Sequence, residues 1–438
     1  MNTVINIFGE KMEKYLPRYI DKELEKTLKS IGAVLIVGPK WCGKTTTAKE
    51  HSNSILQLQN PNYSQSYLKI ANIEPLTLLE GEKPRLIDEW QMAPKLWDAV
   101  RFSVDEHSQK GLYILTGSTT VDESEIMHSG TGRIHRMTMR TMSLYESGDS
   151  NGKICLLDLF ENPDMNINLI ESNLTIRDLI FAACRGGWPE TLSLETEEDQ
   201  LFVVKSYIKN ICEIDTSTID NVKRDPDKVR ALLQSYARNI STLAKNTTIL
   251  NDVNKQYDMN EKTFYSYINA LKRLFVIEDV KAWAPNIRSS QSIKKSPKKE
   301  FIDPSIAVAA LNLNPKILLY DLNTFGFIFE TLCFRDLTVY SSLKEGRVLH
   351  YHDKNDLEVD CVLTLNNGQY ALIEFKLGSD EEEKAAKNLL KLDKLIKEKI
   401  ASGHVNIPEP SFLAIITGGS MAYSREDGVK VIPIGCLR

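Results

Sequence analysis

Apolar residues run without interruption through Ala33-Val34-Leu35-Ile36-Val37. Such a run marks a strand buried on both faces, as in a parallel sheet. Arg85-Leu86-Ile87-Asp88 and Leu112-Tyr113-Ile114-Leu115-Thr116 repeat the pattern. Between these runs the spacing turns helical. Ile20, Leu24 and Leu28 recur a turn apart in 17–30, Pro17 sits where a first helical turn tolerates it, and further helices are predicted from Lys44 and over Pro94–Glu106. Strand alternating with helix predicts a parallel sheet covered on both faces.

From about residue 155 the strand signal fades. Residues 174–220 read as helices interrupted at Gly186-Gly187-Trp188-Pro189, and 226–275 as three helices followed by a strand over Val276–Trp283. Asn260 fits an N-cap for 261–275, and the order helix–helix–helix–strand predicts a winged helix-turn-helix. Residues 284–300 read as a polar loop. Beyond it, a helix over about 323–342 precedes strands at Arg347–His352, Val359–Leu365 and Tyr370–Phe375, a charged helix over 380–400 and a strand at Phe412–Thr417. In that charged helix Leu389, Leu390, Leu392, Leu395 and Ile396 form a sheet-covering face.

The first apolar run ends in Gly38-Pro39-Lys40-Trp41-Cys42-Gly43-Lys44-Thr45, which fits GxxxxGK[ST] at every fixed position, with Thr46 next in the helix. Glycines let the loop wrap so that backbone N–H groups face phosphate oxygens, Lys44 reaches the β- and γ-phosphates, and Thr45 is a Mg²⁺ ligand. Residues 38–46 are therefore the candidate ATP-binding segment. Asp88, at the end of the second strand, is the candidate acid for Mg²⁺, and Glu89 the group that orients and deprotonates the attacking water. Thr116-Gly117-Ser118 closes the third strand with a hydroxyl for the γ-phosphate or water; an ST-turn is the plainer alternative. Arg133 and Arg136 follow, available to stabilise phosphoryl charge in cis or from a neighbouring subunit, or to form a solvated basic loop.

Composition narrows the setting. The 438 residues are 42% hydrophobic and 26% charged, with a net charge of −5, which fits an ordinary globular chain of two to three domains. Seven scattered cysteines, none in CxxC, point to a reducing compartment. The first residues lack a signal-peptide core and no run reaches membrane-spanning length, so a cytoplasmic location without a membrane partner is expected. Charge is uneven, however. Residues 221–300 hold sixteen Lys and Arg against eight Asp and Glu, a local +8 that leaves −13 for the remainder. Lys262, Lys272 and Arg273, with Tyr265 and Tyr267, lie on the expected recognition helix, and Lys294, Lys295, Lys298 and Lys299 near the wing. DNA is the candidate partner of this stretch. The alternative is a protein-interaction module whose core takes Phe264, Ile268, Leu271 and Leu274.

Taken together, Arg18-Tyr19-Ile20, Gly38–Thr45, Ile87-Asp88-Glu89-Trp90-Gln91, Ile114-Leu115-Thr116-Gly117-Ser118, Gly130-Thr131-Gly132-Arg133-Ile134, Met142-Ser143-Leu144-Tyr145-Glu146 and Cys184-Arg185-Gly186-Gly187-Trp188-Pro189 resemble the prokaryotic AAA+-like P-loop ATPases that carry an appended C-terminal domain of unknown function. The resemblance implies an AAA+-like fold, Asp88 and Glu89 as the Walker B pair, Ser118 near a sensor position, Arg133 as arginine finger, Arg185 as a second sensor, and self-association into a homo-oligomer.

In the C-terminal part, Glu330 on a helix, Asp360 entering a strand, and Glu374-Phe375-Lys376 ending the next strand resemble in their order the PD-(D/E)xK nucleases. Glu330, Asp360 and Glu374 would share a divalent metal, and Lys376, on the same strand face as Glu374, would activate water. A salt-bridged hairpin and an inactive nuclease fold kept for binding are the alternatives. The expected architecture is thus α/β throughout. It comprises an AAA+-like ATPase domain over 1–150, a helical lid or linker over 151–220, a winged-helix-like domain over 221–300, and a restriction-endonuclease-like domain over 301–438.

Overall fold

The computed structural model describes residues 15–117, 129–285 and 296–438. Ser118, Lys294 and Lys295 lie outside the described residues. The chain divides into two compact units. One holds residues up to Gly38 and Gly43–Met139; the other holds Pro39–Cys42 and Arg140–Arg438. The boundaries expected at 220 and 300 fall inside the second unit.

The first unit is a five-stranded parallel sheet of β1 (Ala33–Val37), β2 (Ser54–Gln57), β3 (Arg85–Asp88), β4 (Tyr113–Thr116) and β5 (Ile134–Thr138), in the order β2-β3-β4-β1-β5. Central β1 and β4 are buried at every position, whereas β2 and β5 lie at the edges and alternate with exposed residues. That is why the continuous apolar runs were legible as strands and the polar edges Ser-Ile-Leu-Gln and Ile-His-Arg-Met-Thr were not. Helices Tyr19–Leu28, Lys44–Glu50 and Lys95–His107 accompany the strands.

In the second unit, helices Pro226–Arg238, Asn246–Val253 and Glu261–Arg273 precede an antiparallel pair, β7 (Ile277–Val280) and β8 (Lys298–Phe301). Asn260 caps the third helix, its side chain accepting from Thr263 N. Phe264, Ile268 and Leu271 enter an apolar core with Trp188, Tyr207, Tyr236 and Phe301. The seven-stranded mixed sheet contains β6 (Ile170–Glu171), β9 (Arg347–His352), β10 (Glu358–Thr364), β11 (Tyr370–Lys376), β12 (Leu413–Thr417), β13 (Met421–Ser424) and β14 (Lys430–Pro433), ordered β6-β13-β14-β12-β11-β10-β9. Helix Glu382–Ala401 lays Leu389, Leu392 and Ile396 against it.

A buried charge network knits distant segments of this unit together. Arg335, on the helix Leu322–Ser341, is 1% exposed, and its guanidinium contacts Asp303 at 3.1 Å and Asp336 at 2.7 Å. Asp303 also accepts from Thr141 Oγ1 at 2.7 Å, Gly187 N at 3.0 Å and Ser305 N at 3.0 Å, and Asp336 from Leu144 N at 3.0 Å. The Met142–Glu146 and Cys184–Pro189 motifs therefore meet on these two carboxylates. Gly187 is required there by close approach, since a Cβ would stand 2.1 Å from Met142 O. Buried ions are tolerated only with such full pairing. Replacing Arg335 with Met leaves two buried carboxylates unbalanced and is predicted to destabilise this unit by about 3–5 kcal/mol. Urea denaturation of parent and variant checks this.

Candidate functional site

Asp88 and Thr116 end β3 and β4, and β1 runs directly into the glycine loop, so all three meet at the carboxyl edge of the parallel sheet. Binding at that edge is the rule for open α/β sheets. Because β4 lies between β1 and β3, Thr116 stands between the loop and the acid. The hydroxyls of Thr45 and Thr116 both donate to Asp88 Oδ1, at 2.8 and 2.6 Å.

Loop shape follows from three positive φ angles, at Gly38 (148°), Trp41 (65°) and Gly43 (101°), ahead of the helix that begins at Lys44. Buried Lys44 donates from Nζ to Gly38 O at 3.0 Å, so the ammonium folds back over the loop. Glu89 also takes a left-handed conformation (φ 57°), which costs a non-glycine residue about 1–3 kcal/mol. The Gln91 side-chain amide donates to Glu89 Oε2. The Thr45 and Asp88 oxygens form a hard donor set that suits Mg²⁺.

Pro39, Lys40, Trp41 and Cys42 group with the second unit, where Lys40 Nζ pairs with Asp215 at 2.6 Å. Cys42 is buried and Thr46 exposed. Arg133 requires a correction. Its carbonyl accepts from Ala33 N, so it sits beside the start of β1, roughly 15 Å along the strand from the loop. Its guanidinium pairs with Asp105 at 2.7 Å. A finger acting in cis is thereby excluded, and only a role toward a neighbouring copy stays open. Arg185 pairs with Asp149 at 2.5 Å.

The second unit holds another cluster of charges. Asp360 on β10 and Glu374 on β11 are brought opposite each other by the antiparallel pairing of Cys361 with Ile373. Lys376 Nζ lies 3.0 Å from Asp360 Oδ2 and 2.8 Å from Glu374 Oε2. Glu330, from the long helix, completes the expected group, but through a residue that sequence reasoning left in a loop. Lys298 on β8, 4% exposed, lies 3.1 Å from Glu330 Oε2 and 3.2 Å from Asp360 Oδ1. Burial pushes the Asp360 carboxyl up, but Lys298 and Lys376 outweigh it and hold the group well below the usual carboxylate range. Burial and the Asp360 charge raise Glu374, and burial raises Glu330. As they stand, the three carboxylates do not fit a divalent cation. Two ammonium groups already fill the space between them, and among the described residues no cluster of three His, Cys, Asp or Glu is arranged to hold a metal.

The basic stretch is likewise largely consumed by internal pairs. Lys299 is buried against Asp279 and Asn246 at 3.0 and 2.9 Å, Lys272 also pairs with Asp279, and Arg273 lies 4.0 Å from Asp220. Tyr267 is buried, with its hydroxyl oxygen accepting from Asp225 N at 2.9 Å. Lys262 and Tyr265 stay exposed. The expectation that Lys298 and Lys299 face DNA is thus corrected, because alternate positions of a buried strand turn both inward onto acids.

With this geometry in hand, comparison with known proteins finds that residues 30–147 match a family model described as an AAA domain. Residues 176–317 and 325–437 match two domains of unknown function, DUF8612 and DUF4143. No curated protein matches. Among solved structures, a Walker-type ATPase of Pyrococcus abyssi is 14% identical at a TM-score of 0.41, covering 66% of this chain and 94% of its own. A signal-transduction ATPase with a tetratricopeptide repeat sensor from Pyrococcus horikoshii is 16% identical at a TM-score of 0.25, covering 76% of this chain and 49% of its own. The first unit is a P-loop ATPase-type α/β domain. Among the described residues no helix is long and apolar enough to cross a membrane.

Behind the loop, His51 Nε2 at the end of the Lys44–Glu50 helix lies 3.3 Å from Asp21 Oδ1. That contact raises the His51 pKa above its ordinary 6.5. A raised folded-state value means the pair contributes fully below about pH 6.5 and fades as pH rises through the folded value. Thermal unfolding from pH 5.5 to 8 should therefore show the parent losing stability relative to His51→Asn as pH increases.

Proposed function

We propose that the chain binds ATP with Mg²⁺ and hydrolyses it at the carboxyl edge of the first sheet. The observation that carries this reading is the pair of hydroxyls, Thr45 and Thr116, converging on one oxygen of Asp88 beside the glycine loop. Loop amides and Lys44 bind the triphosphate. Thr45 and Asp88 would hold Mg²⁺, which when bound neutralises charge on the β- and γ-phosphate oxygens. Glu89, oriented by Gln91, takes the proton of the attacking water, and Thr116 fixes the Asp88 carboxylate. Arg133 is left to act across an interface between copies of the chain.

The second unit is read as the part that nucleotide turnover acts through. Three helices followed by the β7–β8 pair support a winged-helix arrangement, with Lys262 and Tyr265 left exposed for a DNA backbone. A second reading, favoured by the two lysines lodged among Glu330, Asp360 and Glu374, is a nucleotide-switched binding module. In that reading the nuclease-like sheet recognises DNA or protein and cuts nothing.

Lys44→Ala should lose nucleotide binding and turnover together. Glu89→Gln should keep binding but lower kcat by roughly 10²–10⁴-fold. Calorimetry with ATP and Mg²⁺, alongside phosphate release, separates the two effects. A Lys44→Ala protein turning over at the parental rate would sink the proposal.

A further inference from the structure

Strand β8 carries Lys298-Lys299-Glu300 on its first three positions, each less than 5% exposed. Side chains alternate along a strand, so Lys298 leaves on the face opposite to Lys299 and enters the carboxylate cluster of the seven-stranded sheet. There its ammonium touches Glu330 and Asp360 and lies 3.9 Å from Glu358. Lys376 takes the other oxygen of Asp360 together with Glu374 Oε2. Glu374, 3% exposed, completes the group and shares a side-chain hydrogen bond with Asp360.

We propose that Lys298 is an internal substitute for a divalent cation: the Glu330, Asp360 and Glu374 carboxylates are a hard-cation site that β8 keeps filled with its own ammonium group. Three acids on two neighbouring strands and a helix, with oxygen donors only, are what Mg²⁺ or Mn²⁺ would select. A single ammonium within 3.2 Å of two of them supplies the same positive charge sign with fixed hydrogen bonds and excludes a second cation by charge and by volume. The inference rests on the second reading above, in which the sheet is catalytically silent, and gives that silence a cause.

Manganese uptake by the full-length chain tests it, followed by electron paramagnetic resonance of free Mn²⁺ and by thermal shift. An Asp88→Asn background removes the metal acid of the first unit. With Lys298 intact, no uptake at submillimolar Mn²⁺ is expected. Lys298→Ala in the same background should gain one site and a rise in melting temperature on adding Mn²⁺, and a further Asp360→Asn change should abolish both. Uptake by the Lys298-intact protein that Asp360→Asn removes would overturn the proposal, as would a folded Lys298→Ala protein that takes up none. Should the alanine variant not fold, Lys298→Met keeps the stem packed, and the intact protein's titration decides alone if neither folds. A plasmid-nicking assay in parallel separates the two readings. Nicking by the intact protein defeats catalytic silence, whereas a Lys298→Ala protein that takes up Mn²⁺ without nicking leaves both statements standing.

Discussion

A guanidinium sealed from water between two aspartates organises the larger part of this molecule. Arg335 cannot shed its proton, and Asp303 and Asp336 cannot reach solvent, so every remaining lone pair must find a donor within the fold. The donors come from far apart in sequence: Thr141 and Leu144, Gly187, Ser305 and Tyr340. This demand explains why a glycine pair and a short Ser-Leu-Tyr segment stand where they do, and why both read as motifs without touching a nucleotide. It also fixes the long helix Leu322–Ser341, which one turn earlier presents Glu330 to the second cluster.

In the first unit the governing constraint is strand order. Inserting β4 between the strand that feeds the loop and the strand that carries the acid brings Thr116 beside Asp88, which also accepts directly from Thr45. The two hydroxyls on one carboxylate oxygen hold the acid in place before any ligand arrives. Such pre-organisation lowers what binding must spend on ordering the site.

Much of this arrangement was legible in the sequence. The phosphate loop is encoded locally, by fixed spacing and two glycines, and central strands announce themselves through continuous apolar residues. Asp360, Glu374 and Lys376 were found together because strand alternation and a short hairpin set their geometry. Lys298 was not legible, and the reason is physical. A Lys-Lys-Glu-Phe segment after a proline-containing polar stretch has every mark of a solvated loop, and only its partners, some 30 and 60 residues further on, permit it to be buried. Whether Arg133 could act in cis or only toward a neighbouring copy was not legible for a related reason. Proximity in sequence to the third strand says nothing about which end of the sheet a residue occupies, and the pairing of Ala33 with Ile134 puts Arg133 at the start of β1. The edge strands β2 and β5 escaped because half of their positions face water.

The register of β8 has a consequence of its own. A hairpin strand normally keeps its alignment because a slip by one residue would bring oily side chains out and polar ones in. Here a slip would turn Phe301 away from its apolar core, and because neighbouring positions are both lysine it would also send each ammonium toward acids meant for the other. Lys299, bound to Asp279 and Asn246, and Lys298, bound to Glu330 and Asp360, thus act like two differently cut keys on one ring. The strand is aligned by electrostatic address as well as by grease.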